Sequence, residues 1–251
     1  MILYFTEFSK NNQLTLYCSN LIFLLLKFDS QKRYFCIKQM KYMENKDFIK
    51  RFASELIIEE MPNGQNRYSS LMMALKDAQK LTGRDEITGE QEHDFLENEL
   101  SFLDPNSFIC IVNYLIILDL IGEVFCKKKD NNLIKALSTF GDKISVEDKY
   151  AIAALRNSFA HNYGLININK YHKHKFTLDF SANTLLEKHP TKEWNGDFQF
   201  KSEETSTVIY VKSLIQLIEN IWKKLNSEID EAKVDSVLEI NELKARFTVL
   251  R

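Results

Sequence analysis

Residues 146–162 have the sequence VEDKYAIAALRNSFAHN, and the predicted fold is built outward from them. The stretch is amphipathic, because apolar side chains recur at three- and four-residue steps: Ala151, Ile152, Leu155 and Phe159. Ser145 offers an N-cap, and Asp148 takes the third helical position, where a capping box usually has glutamate. The pattern predicts one helix from Val146 to Asn162 with its apolar side against a core.

Helical patterns also dominate the rest of the chain. Seven Gly and three Pro in 251 residues argue against a sandwich or barrel of tight turns. Further helices are predicted at about 44–61, 68–81, 95–103, 105–127, 133–140 and 206–229. The alternating stretches 173–180 and 197–201 predict a β-hairpin or a long ordered insertion after the central helix. The predicted fold class is all-α, an antiparallel helical bundle with a hairpin insertion at about 165–205 and extra N-terminal helices.

The domain organisation follows from these patterns. Residues 43–89 are predicted to be N-terminal helices, residues 90–230 the main helical domain and residues 231–251 a C-terminal helical tail. Residues 1–42 are aromatic and Leu-rich without a clear period, while Met43-Glu44-Asn45-Lys46 resembles a chain start. The first 42 residues are therefore interpreted either as an extension of uncertain origin or as a short β-rich segment.

Residues 105–126 resemble a membrane helix more than any other stretch does. Polar residues interrupt them at intervals, at Asn106, Asn113, Asp119 and Glu123. Such a helix fits a protein core or a dimer interface better than a bilayer. Residues 21–26 are apolar but too short to span a membrane, and they lack the flanks of a signal peptide. We expect a cytoplasmic protein that does not contact a membrane.

The central helix ends in a motif whose side chains could take part in catalysis, Arg156-Asn157-Ser158-Phe159-Ala160-His161. Arginine carries a permanent charge and binds phosphate through a planar fork of donors. Histidine can move a proton near neutral pH. On a straight helix, positions five apart differ by about 140° around the axis. Arg156 and His161 therefore converge on a phosphate only where the helix ends near His161, or where a second copy completes the site.

This motif resembles the R-x4-6-H motif of HEPN domains, a family of all-helical dimeric domains that includes many toxin and antiviral ribonucleases. The resemblance spans residues 104–164 and includes the polar Asn157 directly after Arg156. It implies a homodimer that cuts RNA without a metal, through attack of the 2′-hydroxyl on the adjacent phosphorus. Arg156 would hold the phosphoryl oxygens, His161 would move protons and Asn157 would assist.

The resemblance also suggests supporting residues and a biological setting. Arg156, His161 and Tyr163 fit R-x4-H-x-Y, a pattern of HEPN toxins whose nucleotidyltransferase antitoxin modifies the tyrosine. Tyr163 would be the acceptor, in a toxin–antitoxin or anti-phage setting; packing at a helix end is the alternative. Asp119 lies on an apolar helix and needs a partner, for which Arg156 is a candidate. Glu123 either supports Arg156 or forms an i,i+4 pair with Lys127.

Other classes of function remain open. The motif is also compatible with a non-catalytic dimerisation or interaction module, and with a regulatory domain that binds a nucleotide without cutting RNA. The net charge of −2 limits any RNA contact to a local patch, such as the residues around His172 and His174. The four widely spaced cysteines, Cys18, Cys36, Cys110 and Cys126, predict buried thiols. No cofactor and no metal are expected.

Overall fold

The computed structural model describes residues 30–84, 106–127, 130–162, 164–168, 173–181, 184–196 and 203–251, with the backbone alone at 30–36, 106–107 and 161–162. The helices are α1 Ser30–Ser54, α2 Ser70–Leu81, α3 Asn106–Phe125, α4 Asn132–Phe140, α5 Val146–Asn162, α6 Val211–Asp230 and α7 Ile240–Phe247. The strands are β1 Ile57–Glu60, β2 Asn66–Ser69, β3 Ile166–Ile168, β4 Lys173–Asp179, β5 Glu187–Lys188, β6 Thr207–Tyr210 and β7 Thr248–Leu250. The chain divides into two compact units, Met1–Phe48 and Ile49–Arg251.

The all-α prediction is wrong. Within the described residues, seven helices accompany one sheet of three strands and one of four, so the fold is mixed α/β. The strands are short and several directly follow or precede a helix, as β6 precedes α6 and β7 follows α7. A stretch of three or four residues is too short to show its own period. The helical prediction therefore covered segments such as Thr207–Tyr210, which form strands instead.

The three-stranded sheet joins distant parts of the chain. Its strand order is β1-β2-β7, and both pairings are antiparallel, with Tyr68 opposite Val249. The C-terminal segment was predicted to be helical throughout, but only α7 is a helix and β7 completes this sheet. The helix predicted to begin at about Glu44 instead runs from Ser30 to Ser54, so residues 30–42 are helical and not β-rich, and Ile57 begins β1. The paired residues of β2 and β7 are 179 to 183 positions apart in the sequence, so no local pattern shows this pairing.

The second sheet replaces the predicted hairpin insertion. Its order is β3-β4-β6-β5, with β4 antiparallel to β3 and parallel to β6. The prediction of a strand at 173–180 is confirmed by β4, but the predicted strand at 197–201 lies outside the described residues. The predicted helix at 95–103 lies outside them as well. Because β3 and β4 both pack on α5, the sheet is part of the body and supports the central helix.

Helix α3 lies at the centre of the unit that contains it. It packs against α2, α4, α5 and α6, and Tyr114, Ile117, Leu118 and Ile121 are fully buried. This confirms the prediction of a helix buried on most sides. By length and composition alone, Phe108–Phe125 could cross a membrane, but core helices pass the same test, and 56% of this segment is buried. Cys110 and Cys126 are buried thiols, and burial raises the pKa of Cys110 to about 12.

Candidate functional site

The helix that carries the motif has the predicted bounds, Val146–Asn162. The Asp148 backbone N–H donates to the Ser145 hydroxyl at 3.0 Å, which confirms Ser145 as the N-cap. Ala151, Ile152, Leu155 and Phe159 are buried, as the amphipathic pattern predicts. The cap fixes where the helix begins and the buried face fixes its rotation. Together they determine which side Arg156 and Asn157 present.

Arg156 binds two of the residues that the sequence singled out. Its Nε donates to Oδ2 of Asp119 on α3 at 2.5 Å, and its Nη1 donates to Oδ1 of Asn157 at 3.5 Å. The first bond confirms Arg156 as the partner of Asp119. The Arg156 side chain remains 35% exposed, against 18% for Asp119. The guanidinium is therefore anchored on its inner side and open to solvent on the other.

The position of Asp119 disfavours the ionised form of its carboxyl group. Burial raises its pKa, Arg156 opposes that effect, and the nearby Glu123 adds to it, so that the pKa stays above its usual value. The ionised form of Asp119 thus depends on Arg156. In turn, the carboxylate holds the Arg156 side chain in one direction across the α3–α5 contact.

The last turns of α5 separate a buried side from an open side. Ser158 and Phe159 are buried, and the Ser158 hydroxyl donates to the Ala154 carbonyl at 2.9 Å. Ala160 is exposed, and Arg156 and Asn157 are half-buried. His161 occupies the last turn of the helix, about 40° around the axis from Asn157. The structure describes only the backbone of His161, and Tyr163 lies outside the described residues.

Glu123 does not support Arg156 directly. Among the described residues, its carboxylate accepts bonds from Asn132 at 2.6 Å and from Arg246 on α7 at 2.8 Å, in place of the expected pair with Lys127. The hydrogen bond from Arg246 is the largest of the effects that lower the Glu123 pKa. Glu123 therefore fastens α7 to the end of α3.

The basic patch around His174 is only partly described, because Lys170 and His172 lie outside the described residues. His174 stacks on Phe176 with ring centroids 5.3 Å apart, and its Nδ1 lies 3.1 Å from the Thr207 hydroxyl. These contacts tie His174 into the β4–β6 pair. They give the imidazole a structural environment within the sheet.

One cluster of side chains that could bind a metal was not predicted from the sequence. Asp148, Glu187 and His189 place their ligand atoms within 4.8 Å of one another, at the start of α5 and the end of β5. Glu187-Lys188-His189 is an E-x-H pattern, whose alternate residues share a side of an extended strand. The E-x-H pattern is visible in the sequence and could have indicated these two residues. Asp148 is distant in the sequence and joins the other two only through the packing of the sheet on α5.

The comparisons with known proteins add nothing to these geometric observations. No protein-family model, no curated protein and no solved structure matches this chain.

Proposed function

We propose that the chain is a metal-independent endoribonuclease of the HEPN type, with Arg156, Asn157 and His161 as its catalytic residues. The observation that carries this proposal is the anchoring of Arg156. A half-exposed guanidinium is held by Asp119 beside Asn157, within the last two turns of a helix that ends one residue after His161. Preorganised charge of this kind is what an enzyme needs to stabilise a phosphoryl transition state.

The anchored guanidinium keeps donors for a phosphate. Of its five N–H groups, Nε binds Asp119 and one on Nη1 binds Asn157, so three carry no bond in the described part of the chain. Arg156 would direct these at the phosphoryl oxygens of the scissile RNA linkage. Ala160 has only a methyl group on the exposed side of the same turn, which leaves space for a ligand beside the arginine.

His161 supplies the proton chemistry in this proposal. The C-terminal end of a helix carries partial negative charge, which favours the protonated imidazolium. As a general acid, His161 would protonate the leaving 5′-oxygen when the 2′-oxygen attacks the phosphorus, and the 2′-hydroxyl proton would pass to water. The products are a 2′,3′-cyclic phosphate and a 5′-hydroxyl end. The reaction requires the 2′-hydroxyl, so DNA is not a substrate.

A homodimer belongs to the same proposal. Ile109 and Ile116 lie two turns apart on α3 and are each 40% exposed, so they form an apolar stripe on the open side of an otherwise buried helix. Asp119 follows Ile116 by one turn on that helix. A second copy that covers the stripe would bring the two Arg156 residues toward each other. Ile116→Glu should convert such a dimer to a monomer in size-exclusion chromatography with light scattering.

The direct test is cleavage of total RNA and tRNA in EDTA by the wild type and by Arg156→Ala, Asn157→Ala and His161→Ala. We expect the wild type to cut and the arginine and histidine variants to lose at least about a hundredfold in rate. Lys127→Ala removes an exposed lysine near the end of α3 and should cut like the wild type. Intact RNA with folded wild type, or unchanged cutting by both variants, would contradict the proposal.

One observation favours a second candidate, a non-catalytic interaction module. The Asp119 carboxylate neutralises much of the Arg156 charge, as it would if the pair served only to join α3 to α5. In that case RNA stays intact while Ile116→Glu still disrupts association. Retained nucleotide binding without cleavage would instead indicate a regulatory domain. The toxin–antitoxin or anti-phage setting and modification of Tyr163 by a nucleotidyltransferase partner depend on the nuclease proposal.

A further inference from the structure

Three side chains with metal-binding atoms converge where the first turn of α5 meets the edge strand β5. His189 Nε2 lies 2.9 Å from Oδ1 of Asp148 and 3.2 Å from Oε1 of Glu187. All three ligand atoms fall within 4.8 Å of one another. Asp148 is held by the N-cap of α5, and Glu187 is held by pairing with Ile209 in the sheet. The cluster is thus built on two regular elements.

Glu187 is the residue that requires explanation. Its side chain is 1% exposed, and among the described residues neither carboxyl oxygen has a hydrogen-bond partner of good geometry, although His189 Nε2 lies 3.2 Å from Oε1. The Asp148 carboxylate adjoins it, but two carboxylates share a hydrogen bond only when one is protonated. A buried carboxyl that has an imidazole nitrogen 3.2 Å from one oxygen but no well-aligned donor is costly, and a bound cation removes that cost.

We propose that Asp148, Glu187 and His189 bind a divalent transition-metal ion of the zinc class. Two carboxylate oxygens and one imidazole nitrogen form a ligand set that such ions accept. With metal–ligand bonds of about 2.0–2.1 Å in a tetrahedron, neighbouring ligand atoms lie about 3.3 Å apart. The observed 2.9 Å and 3.2 Å separations approach that value. A small displacement of the side chains would admit the ion.

This site is independent of the proposed nuclease chemistry. Asp148 lies eight residues before Arg156 on α5, so the ion would not contact the motif. It would join the N-terminal turn of α5 to the edge of the four-stranded sheet. Three protein ligands leave a fourth position for water. We assign the ion a role in holding the start of the motif helix.

The test uses the full chain, treated with EDTA, dialysed and then titrated with zinc chloride by calorimetry. Metal content is measured by mass spectrometry after gel filtration. The proposal expects one zinc per chain and a higher melting temperature than in the metal-free protein. Glu187→Gln and His189→Ala should each weaken zinc binding by at least about tenfold. His174→Ala removes a histidine from the same sheet and should bind zinc like the wild type.

Cobalt provides a readout that does not depend on the variants folding. One equivalent of Co²⁺ added to wild-type protein should give the visible absorption of a four-coordinate site, and zinc should displace it. The proposal fails if the folded wild type binds neither ion. It also fails if Glu187→Gln and His189→Ala, both folded by circular dichroism, retain the full zinc affinity. Either result would assign the cluster to a protonated Glu187–Asp148 pair.

Discussion

The guanidinium of Arg156 donates to the carboxylate of Asp119 at 2.5 Å and so joins α5 to α3. Asp119 lies on the central helix α3, while Arg156 reaches solvent. The pair therefore connects the core to the exposed end of the motif helix. The acid is less exposed than the base, which suits a positioning device in which the core fixes the direction of the proposed catalytic arginine.

Replacing Asp119 by Asn tests this positioning role. In the proposed nuclease, Asp119→Asn leaves Arg156 charged but less well directed, so the cleavage rate should fall by about tenfold to a hundredfold. The fall should appear in kcat more than in KM, and Asp119→Glu should restore part of it. Steady-state cleavage of a defined RNA measures both constants. If Asp119→Asn cuts as fast as the wild type, Asp119 does not position Arg156.

Glu219 on α6 is a buried charge whose partners predict its importance for stability. It is 1% exposed and accepts bonds from Arg84 at 2.5 Å and from the Tyr114 hydroxyl at 2.7 Å. Glu219→Ala leaves Arg84 without this carboxylate and should lower the free energy of unfolding by about 3–5 kcal/mol. Tyr114→Phe should cost only about 1 kcal/mol. Urea denaturation measures both, and equal losses would contradict the account.

Glu59 on β1 should make stability depend on pH. Burial raises its pKa, but bonds from Lys244 and Arg67 outweigh that effect and lower the pKa below its usual value. The ionised group therefore stabilises the fold above pH about 4.3, and this contribution is lost as the pH falls through the lowered pKa. Glu59→Gln should cost about 1 kcal/mol at pH 7, and the difference from wild type should shrink toward pH 3.

The matched control for that titration is Glu60→Gln. Glu60 is the exposed neighbour of Glu59 on the same strand, and its substitution should leave the pH dependence of unfolding unchanged. A difference between Glu59→Gln and wild type that stays constant from pH 7 to pH 3 would show that its ion pairs do not stabilise the sheet.

Gly122 on α3 should not tolerate a methyl group. A Cβ at this position would lie 1.8 Å from the carbonyl oxygen of Asn132, at the start of α4. Helix propensity alone favours alanine over glycine by about 1 kcal/mol. The contact should reverse that preference, so that Gly122→Ala lowers the melting temperature. Ser138→Ala, at an exposed position of α4, should be neutral or slightly stabilising. A more stable Gly122→Ala protein would contradict the close approach of the two helices.

The longer helices were predictable because each has enough residues to show a 3.6-residue period. Val146–Asn162 was predicted with its exact bounds, and 105–127 contains the observed Asn106–Phe125. Asp104-Pro105 predicts the start of the second of these helices through capping chemistry, and these two residues lie outside the described part of the chain. The short strands were not predicted, because each has too few residues to show a period of its own. Ile57–Glu60 continues an apolar pattern that suits a helix equally well, and only its pairing with β2 makes it a strand.

The two sites also differ in how far the sequence predicts them. Arg156 and its partner Asp119 were both predicted, because an acid on an apolar helix and a basic motif on the next long helix suggest a pair. Asp148, Glu187 and His189 were missed, although Asp148 had been assigned to the helix cap. Its second contact depends on β5, a strand of two residues that carries almost no pattern of its own.

The most direct test of the central claim is the chemistry of the cut RNA end. Folded wild-type protein in EDTA is incubated with an RNA oligonucleotide, and with the same oligonucleotide carrying a single 2′-deoxy nucleotide at the cleavage position. The account predicts a 2′,3′-cyclic phosphate product from the first, no cut at the substituted position in the second, and no product from His161→Ala or Arg156→Ala. Cleavage at the 2′-deoxy position, or product from both variants at the wild-type rate, would contradict it.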